Sequence, residues 1–147
     1  MKILIFGLPG SGKSTLAEPF AQLINGVWIN ADQVREKYND WDFSLEGRIR
    51  QAQRIRLLAD GAVMAGKVAV ADFVCPTEET RKAFGPDYTV WMDTITASEY
   101  KDTNMLFENP VNCNYHVKKW FTDTHAQLSE VVKNYMRKQD GKPTEPI

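Results

Sequence analysis

The chain has 147 residues, of which 43% are hydrophobic, and its formal net charge at pH 7 is −1. This length predicts one domain, over residues 1–140, with enough apolar side chains for a packed core. The near-zero charge provides no overall attraction to nucleic acid or to an anionic membrane, and no apolar stretch reaches the length of a membrane-spanning helix.

The cysteines and the chain ends suggest a compartment. Cys75 and Cys113 are the only cysteines, and their spacing fits no Cys-x-x-Cys site. They indicate free thiols in a reducing environment, and the immediate start of a predicted strand argues against a signal peptide. Both observations favour a cytoplasmic protein. Residues 141–147 are polar and proline-rich and are predicted to form a short frayed tail.

A strand, a glycine-rich loop and a helix open the chain. Residues 2–6 form an apolar run typical of a buried parallel strand, and residues 15–24 carry apolar side chains at helical spacing. Between them GLPGSGKS, residues 7–14, fits G-x-x-x-x-G-K-[ST], the phosphate-binding P-loop. Glycines let backbone N–H groups wrap an anion, and the helix N-terminus adds positive partial charge. The setting predicts binding of ATP or GTP, with an ordinary glycine turn as the alternative.

Each P-loop residue has an expected role. Lys13 would reach the β- and γ-phosphates, and the Ser14 hydroxyl would bind Mg²⁺. The predicted nucleotide-binding residues are Gly7, Pro9, Gly10, Ser11, Gly12, Lys13, Ser14 and Thr15.

The rest of the chain alternates strands and helices. Strands are predicted at 27–29, 68–74 and 88–92, with a weaker fifth at 115–120, and helices at 32–38, 45–65, 77–84 and 123–138. The nearly all-apolar run 68–74 predicts a strand buried on both faces. The alternation predicts an α/β fold of three layers, with a mostly parallel sheet, helices on both faces, and ligands at the carboxyl ends of the strands.

Polar side chains fall at that predicted edge. Asp32 and Arg35 follow the second strand on one helical face, where they form either a surface ion pair or a functional pair. In the functional interpretation Asp32 is a base or orienting carboxylate for an acceptor hydroxyl, and Arg35 clamps an anion. Asp72, in the third strand, either holds Mg²⁺ through water or caps the strand end.

The linker and long helix that follow carry further candidates. Phe43 either packs in the core or stacks on a purine. Four arginines crowd the helix: Arg48, Arg50, Arg54 and Arg56. Some of them are solvated, but a cluster facing the P-loop would suit an anionic acceptor.

Taken together, these motifs resemble those of the adenylylsulfate (APS) kinases, which have the P-loop kinase fold. The family's GLSGAGKST corresponds to GLPGSGKST here, and its D-G-D-N-V-R to residues 30–35, which keep the second Asp and the Arg. Its G-F-S-x-x-D-R-x-x-N-x-x-R block keeps the Phe and both Arg positions within residues 43–54, with Gln51 in place of Asn. Its F-I-S-P matches residues 73–76, before Arg81, and its R-D-x-K-G-L-Y matches residues 101–107.

The resemblance implies an ATP- and Mg²⁺-dependent kinase of sulfate assimilation that phosphorylates the 3′-hydroxyl of adenylylsulfate. It implies that Asp32 accepts the hydroxyl proton, that Phe43 stacks on the acceptor adenine, and that the arginines and Gln51 bind the phosphosulfate end and ribose. The candidate residues are Lys13 and Asp32 for catalysis, Ser14 and Asp72 for the metal, and Asp32, Arg35, Phe43, Arg48, Gln51, Arg54, Val74 and Cys75 for the acceptor.

Departures from the family pattern keep other functions open. Asn104 replaces the last block's lysine, the segment after Phe107 is shorter than the usual lid, and Asp72 stands where the family commonly has an uncharged residue. An Asp there resembles polynucleotide-kinase-related enzymes, so the alternative is a nucleotide, nucleoside or polynucleotide 5′-kinase.

A nucleotide-binding switch is the alternative from another class. The arginine-rich helix and the lack of an N-K-x-D guanine motif argue against it. The expected partner is therefore a small anionic molecule, and neither a membrane nor nucleic acid. A homodimer is one option for the assembly.

Overall fold

The computed structural model describes residues 1–141 and contains one five-stranded sheet. The strands are β1 Lys2–Gly7, β2 Val27–Asn30, β3 Ala69–Asp72, β4 Tyr88–Met92 and β5 Tyr115–Val117. The helices are α1 Lys13–Leu23, α2 Ala31–Tyr38, α3 Leu45–Met64, α4 Glu78–Phe84, α5 Lys101–Leu106 and α6 Thr124–Gln139. Apart from Gly141, the predicted tail lies outside the described residues.

The strands run parallel in the order β2-β3-β1-β4-β5. This arrangement confirms the predicted α/β fold. The strand β1, which leads into the glycine loop, is central, so its carboxyl end lies between those of β3 and β4. The chain passes from β1 to β2 on one side of β1 and later from β3 to β4 on the other side, and this change of direction creates a crevice at this edge, which is where open α/β sheets bind ligands.

Alternating side chains of β1 build a core on each face of the sheet. Ile3 and Ile5 pack in a cluster with α1 and α6, whereas Leu4 and Phe6 pack in a second cluster with α3 and α4. These four side chains are fully buried or nearly so. A strand buried on both faces has no polar face, and this explains the continuous apolar run KILIF.

Capping side chains fix the starts of the helices near the cavity. The Asn30 side chain accepts from Gln33 N and caps α2, and Ser44 accepts from Gly47 N and caps α3. Thr77 and Thr80 form a capping box at the start of α4.

Some predicted boundaries differ from the structure. β3 ends at Asp72, so residues 73 and 74 of the predicted strand lie in the loop beyond it. β5 covers only Tyr115–Val117 of the predicted residues 115–120. The helix α5 was not predicted as a helix from its pattern. None of the helices within residues 1–141 combines the length and apolar character needed to cross a membrane.

Candidate active site

A cavity of about 1100 Å³ opens at the carboxyl ends of β2 and β3, against the glycine loop. Most of the predicted site residues line it: Pro9, Gly10, Gly12, Lys13, Ser14, Thr15, Asp32, Arg35, Phe43, Arg48, Gln51, Asp72, Val74 and Cys75. Gly7, Ser11 and Arg54 are not part of its lining.

The glycine loop adopts a backbone that side chains would disfavour. Gly10 and Gly12 have φ of 83° and 94°, in the left-handed region that glycine adopts readily. Gly12 caps the N-terminus of α1, so unpaired helix N–H groups face the cavity. A Cβ on Gly7 would collide with the Met92 carbonyl oxygen. The loop therefore presents backbone donors to an anion, as the P-loop motif predicts.

Lys13 lies at the floor of this loop with 9% of its surface exposed. Its ammonium donates to the Leu8 carbonyl over 3.0 Å. Burial lowers the pKa of Lys13 to about 8, although the carboxylates of Asp72 and Asp32 oppose that shift. A cation held in this environment is stabilised further by any anion that enters the loop.

Ser14 and Asp72 form the side of the cavity where a nucleotide-bound metal would lie. The Ser14 hydroxyl donates to Asp72 Oδ1 over 3.0 Å and accepts from Asn30 Nδ2 over 3.2 Å. Trp28 Nε1 donates to Asp72 Oδ2 over 2.5 Å. Asp72 is 3% exposed, and burial raises its pKa, a shift that these hydrogen bonds and Lys13 oppose.

This donor set fits magnesium in the form that nucleotides carry. A hydroxyl and a carboxylate are hard oxygen donors, which Mg²⁺ prefers. Within residues 1–141 no group of three His, Cys, Asp or Glu side chains could hold a metal alone. Magnesium bound here would therefore take most of its ligands from phosphate oxygens and from water, as Mg²⁺ commonly does.

Asp32 and Arg35 do not form the surface ion pair that their spacing allowed. Arg35 is 5% exposed and donates from Nη1 to the carbonyls of Asp40 and Asp42 over 3.0 and 3.2 Å. Asp32 is exposed in the first turn of α2, and its carboxylate has no hydrogen bond or ion pair within the described part of the chain. A free carboxylate facing the cavity is available to an incoming hydroxyl.

Phe43 is a cavity residue and not a core residue. It is 53% exposed, and the guanidinium carbons of Arg35 and Arg48 lie 4.2 and 5.4 Å from its ring centroid. Arg48 donates from Nε to the Phe43 carbonyl over 3.0 Å and from Nη2 to Thr103 Oγ1 over 2.9 Å. Burial lowers the pKa of both guanidinium groups, and their mutual repulsion adds to the shift at Arg35.

Gln51 presents an acceptor that has no partner. Its Nε2 donates to the Ala31 carbonyl over 2.8 Å, which fixes the amide orientation, while Oε1 is buried without a hydrogen bond in the described residues. Buried polar atoms are rarely left unpaired in native proteins, and Gln51 lines the cavity, which makes Oε1 a candidate acceptor for a ligand donor.

The loop after β3 also lines the cavity. Val74 and Cys75 line the cavity, and Cys75 has a φ of 45°. Burial raises the pKa of the Cys75 thiol to about 12, so it is not a nucleophile. Arg81 donates to the carbonyls of Cys75, Pro76 and Glu108 and thereby fixes the loop.

Arg54 faces away from the cavity. Its Nη1 lies 2.6 Å from Asp40 Oδ2, and its guanidinium covers the Tyr38 ring at 4.4 Å. Arg50 binds the same Asp40 oxygen over 2.7 Å. These arginines fasten the loop 39–44 to α3, and that loop carries Phe43.

The cavity also contains residues that were not among the predicted ones: Asn30, Tyr100, Lys101, Asp102 and Thr103 line it as well. Four of them lie at the start of α5, in or beside the 101–107 block that carried the family resemblance. Asn104 does not line the cavity, because its side chain bonds Ser98 at both the amide nitrogen and oxygen.

Comparisons with known proteins agree with this geometry. The APS kinase of Mycobacterium tuberculosis, in complex with AMPPNP and APS, has a TM-score of 0.74 at 17% identity, over 90% of this chain and 96% of that chain. The hexameric APS kinase from Thiobacillus denitrificans has a TM-score of 0.68 at 19% identity, over 98% of this chain and 30% of that chain. A sugar kinase from Janibacter sp. HTCC2649 has a TM-score of 0.68 at 15% identity, over 92% of this chain and 93% of that chain. No curated protein sequence matches the chain.

Identities this low show the fold alone, and that fold is shared with kinases. The family model is more specific, because the model described as adenylylsulphate kinase matches residues 1–109, a range that includes the glycine loop and the cavity residues Asp32, Phe43 and Arg48. This chain belongs to the adenylylsulphate kinase family.

Proposed function

We propose that this protein transfers the γ-phosphate of ATP to the 3′-hydroxyl of adenylylsulfate. The observation that carries the proposal is one cavity that joins the glycine loop to a wall of Asp32, Arg35, Phe43 and Arg48. Its volume of about 1100 Å³ is large for a single small ligand. Two nucleotides facing each other across Asp32 would fill the cavity.

The acceptor wall suits an anionic nucleotide. Arg35 and Arg48 are partly desolvated and repel each other, so an anion placed near both would relieve each charge. Phe43 is 53% exposed, so part of its ring is open to a base. The Mycobacterium tuberculosis relative has AMPPNP and APS bound, which supports the same pair of ligands here.

The chain's own residues then divide the work of the transfer. Lys13 would stabilise charge on the transferring phosphoryl group, while Asp32 orients the 3′-hydroxyl and accepts its proton. Arg35 and Arg48 would hold the acceptor in line, a positioning effect. Mg²⁺, held by Ser14 and through water by Asp72, would neutralise phosphate charge.

A kinase for a nucleoside or polynucleotide 5′-hydroxyl is the second candidate. It is favoured by Asp72, whose carboxylate contacts the Ser14 hydroxyl directly. The same Lys13 and Asp32 would serve, and the difference would lie in which hydroxyl reaches Asp32.

Product identification after incubation with Mg·ATP decides between these acceptors. The panel contains adenylylsulfate, 5′-hydroxyl oligonucleotides and free nucleosides, and we expect a 3′-phosphorylated product from adenylylsulfate alone. Lys13→Ala is the control against a contaminating kinase and should lose at least about 10³-fold in turnover. Phosphorylation of an oligonucleotide 5′-end without turnover of adenylylsulfate would replace the proposal by the second candidate.

A further inference from the structure

Trp28 makes a contact on the metal side of the cavity that the proposed mechanism does not use. Its indole Nε1 donates to Asp72 Oδ2 over 2.5 Å, whereas Asp72 Oδ1 accepts from the Ser14 hydroxyl over 3.0 Å. The two oxygens of one buried carboxylate therefore have different partners, and the Asn30 side chain lies close to the same carboxylate.

The sheet register holds Trp28 in place for this contact. In the parallel pairing of β2 with β3, Trp28 aligns with Val70 and Asn30 aligns with Asp72. Residues two apart in a strand share a face, so Trp28, Asn30 and Asp72 lie on the face that α1 covers. The Trp28 ring also packs against the core cluster on that face, so the indole N–H is anchored by apolar contacts.

The chemistry of the indole suits a fixed orientation. An indole N–H only donates, so it can satisfy a carboxylate oxygen but cannot accept from the Ser14 hydroxyl. The last torsion of an aspartate is soft, so a carboxylate with one free oxygen would rotate among several orientations. With Oδ2 occupied, Oδ1 remains directed at Ser14.

We propose that Trp28 is a positioning residue for the metal side of the site, acting through Asp72. It holds the carboxylate so that Oδ1 faces the place where Ser14 would hold the magnesium of a bound nucleotide. The inference rests on the proposed use of Mg·ATP but is independent of the acceptor.

The test is a double-mutant cycle read by Mg²⁺ binding. Trp28→Phe, Asp72→Asn and the double variant are titrated with Mg²⁺ by calorimetry in the presence of a saturating non-hydrolysable ATP analogue. Nucleotide affinity without metal and cooperative thermal unfolding are measured alongside. Trp91→Phe is the matched control, because Trp91 is another half-buried strand tryptophan but stacks on His116 at a centroid distance of 4.3 Å.

We expect Trp28→Phe to weaken Mg²⁺ binding by about tenfold or more, as changes beside metal ligands typically do. Metal-free nucleotide affinity should stay unchanged, and Trp91→Phe should behave as wild type. In the Asp72→Asn background, Trp28→Phe should have no further effect, because the carboxylate it positions is gone.

Two results would overturn the inference while leaving the proposed function intact. One is wild-type Mg²⁺ affinity in folded Trp28→Phe, and the other is an equal loss with and without Asp72. If Trp28→Phe does not fold, the Asp72→Asn variant still tests the inference. Unchanged Mg²⁺ affinity in that variant would show that Asp72 does not contribute to metal binding, so Trp28 could not act through it. A wild-type protein that binds no ATP analogue would instead refute the proposed function itself.

Discussion

At the scale of single residues, Lys13 combines burial with a positive charge that its surroundings only partly offset. The Leu8 carbonyl is its hydrogen-bond acceptor, and the nearby carboxylates of Asp72 and Asp32 attract it. Desolvation still dominates and brings its pKa to about 8, close to working pH. A bound triphosphate favours the charged ammonium, so the pKa should rise on binding.

This linkage predicts pH-dependent nucleotide binding. Above about pH 8 the free protein loses the Lys13 proton, and binding must restore it, so Kd for a non-hydrolysable ATP analogue should rise about tenfold per pH unit. Below that pH the affinity should be flat, since the lysine is already charged. Calorimetry in several buffers across this range measures both Kd and proton uptake.

Lys13→Arg is the control for the pH dependence, because a guanidinium stays charged throughout. Its binding should be weaker but should not change with pH in this range. A wild-type Kd that stays constant well above pH 8, with no proton uptake, would show that Lys13 is charged before the nucleotide arrives.

Asp32 gives a second test at this scale. Asp32→Asn keeps the shape of the side chain but removes its basicity, so kcat should fall by roughly 10²–10⁴-fold. The KM for ATP should change little, since Asp32 has no hydrogen bond or ion pair with the glycine loop in the described residues and acts on Lys13 only through a longer-range attraction. Asp60→Asn, a surface carboxylate paired with Lys2, is the matched control.

The opposite pattern would reassign Asp32. If Asp32→Asn raises the KM for ATP while kcat stays near wild type, its carboxylate acts on the nucleotide side and another group must orient the hydroxyl.

Single residues also show how far sequence reasoning reached. The glycine loop was predictable because its chemistry requires fixed residues at fixed spacing. Trp28 was not, because its partner Asp72 is 44 positions away and only the β2–β3 register brings them together. Arg54 was assigned together with Arg48 from the family block, but six residues make about 1.7 helical turns, which places them on different faces.

At the scale of elements, the part of the acceptor wall that carries Phe43 is a loop, residues 39–44, fastened to α3. The Asp40 carboxylate accepts hydrogen bonds from Arg50 and Arg54, and these bonds hold the pKa of Asp40 well below its usual range. Arg35 fixes the same loop from the other side through two carbonyls. The loop that carries Phe43 is therefore held at several points, while the Phe43 ring remains exposed.

This arrangement predicts separable effects on the two substrates. Phe43→Ala should raise the KM for adenylylsulfate by about ten- to hundredfold, as loss of a base stack of roughly 1–3 kcal/mol would do. Arg48→Ala should raise the same KM because it removes a cation proposed to hold the acceptor's anion. The KM for ATP should stay close to wild type. Initial-rate kinetics with each substrate varied in turn make the comparison.

Arg56→Ala is the control on the same helix, because Arg56 pairs with Asp60 and does not line the cavity. Equal losses for Arg48→Ala and Arg56→Ala would mean that the helix, and not the cavity wall, is responsible. A change confined to ATP would place Phe43 and Arg48 on the donor side.

Pattern reasoning recovered all five strands and every helix except α5. α5 has six residues, no side-chain N-cap and one buried side chain, so neither capping nor periodicity identifies it. Its placement over the cavity comes from tertiary contacts such as Arg48 to Thr103. Asn104 illustrates the same limit, since its bonds to Ser98 follow from the local turn.

At the scale of the whole molecule, the cavity and the core share their supporting elements. The helix α1 starts at the glycine loop, and its side chains Leu16 and Phe20 are fully buried in the cluster that includes Leu128 and Val132 of α6. The last helix thus supports α1, the helix that follows the glycine loop, although the family match ends at residue 109. Ligand binding in the cavity should therefore raise the free energy of unfolding of the whole domain.

The last prediction follows from this coupling. A ligand that binds only the folded state at 100 times its Kd adds about 2.7 kcal/mol to the free energy of unfolding. For a domain of this size, that corresponds to a rise in Tm of roughly 5–10 °C. Mg²⁺ with a non-hydrolysable ATP analogue should produce this shift in the wild type, measured by thermal unfolding followed by circular dichroism. Lys13→Ala should unfold cooperatively near the wild-type Tm without ligand but show little shift at the same ligand concentration, because its phosphate contact is lost. An equal shift in both proteins would mean that the nucleotide binds somewhere other than the glycine loop.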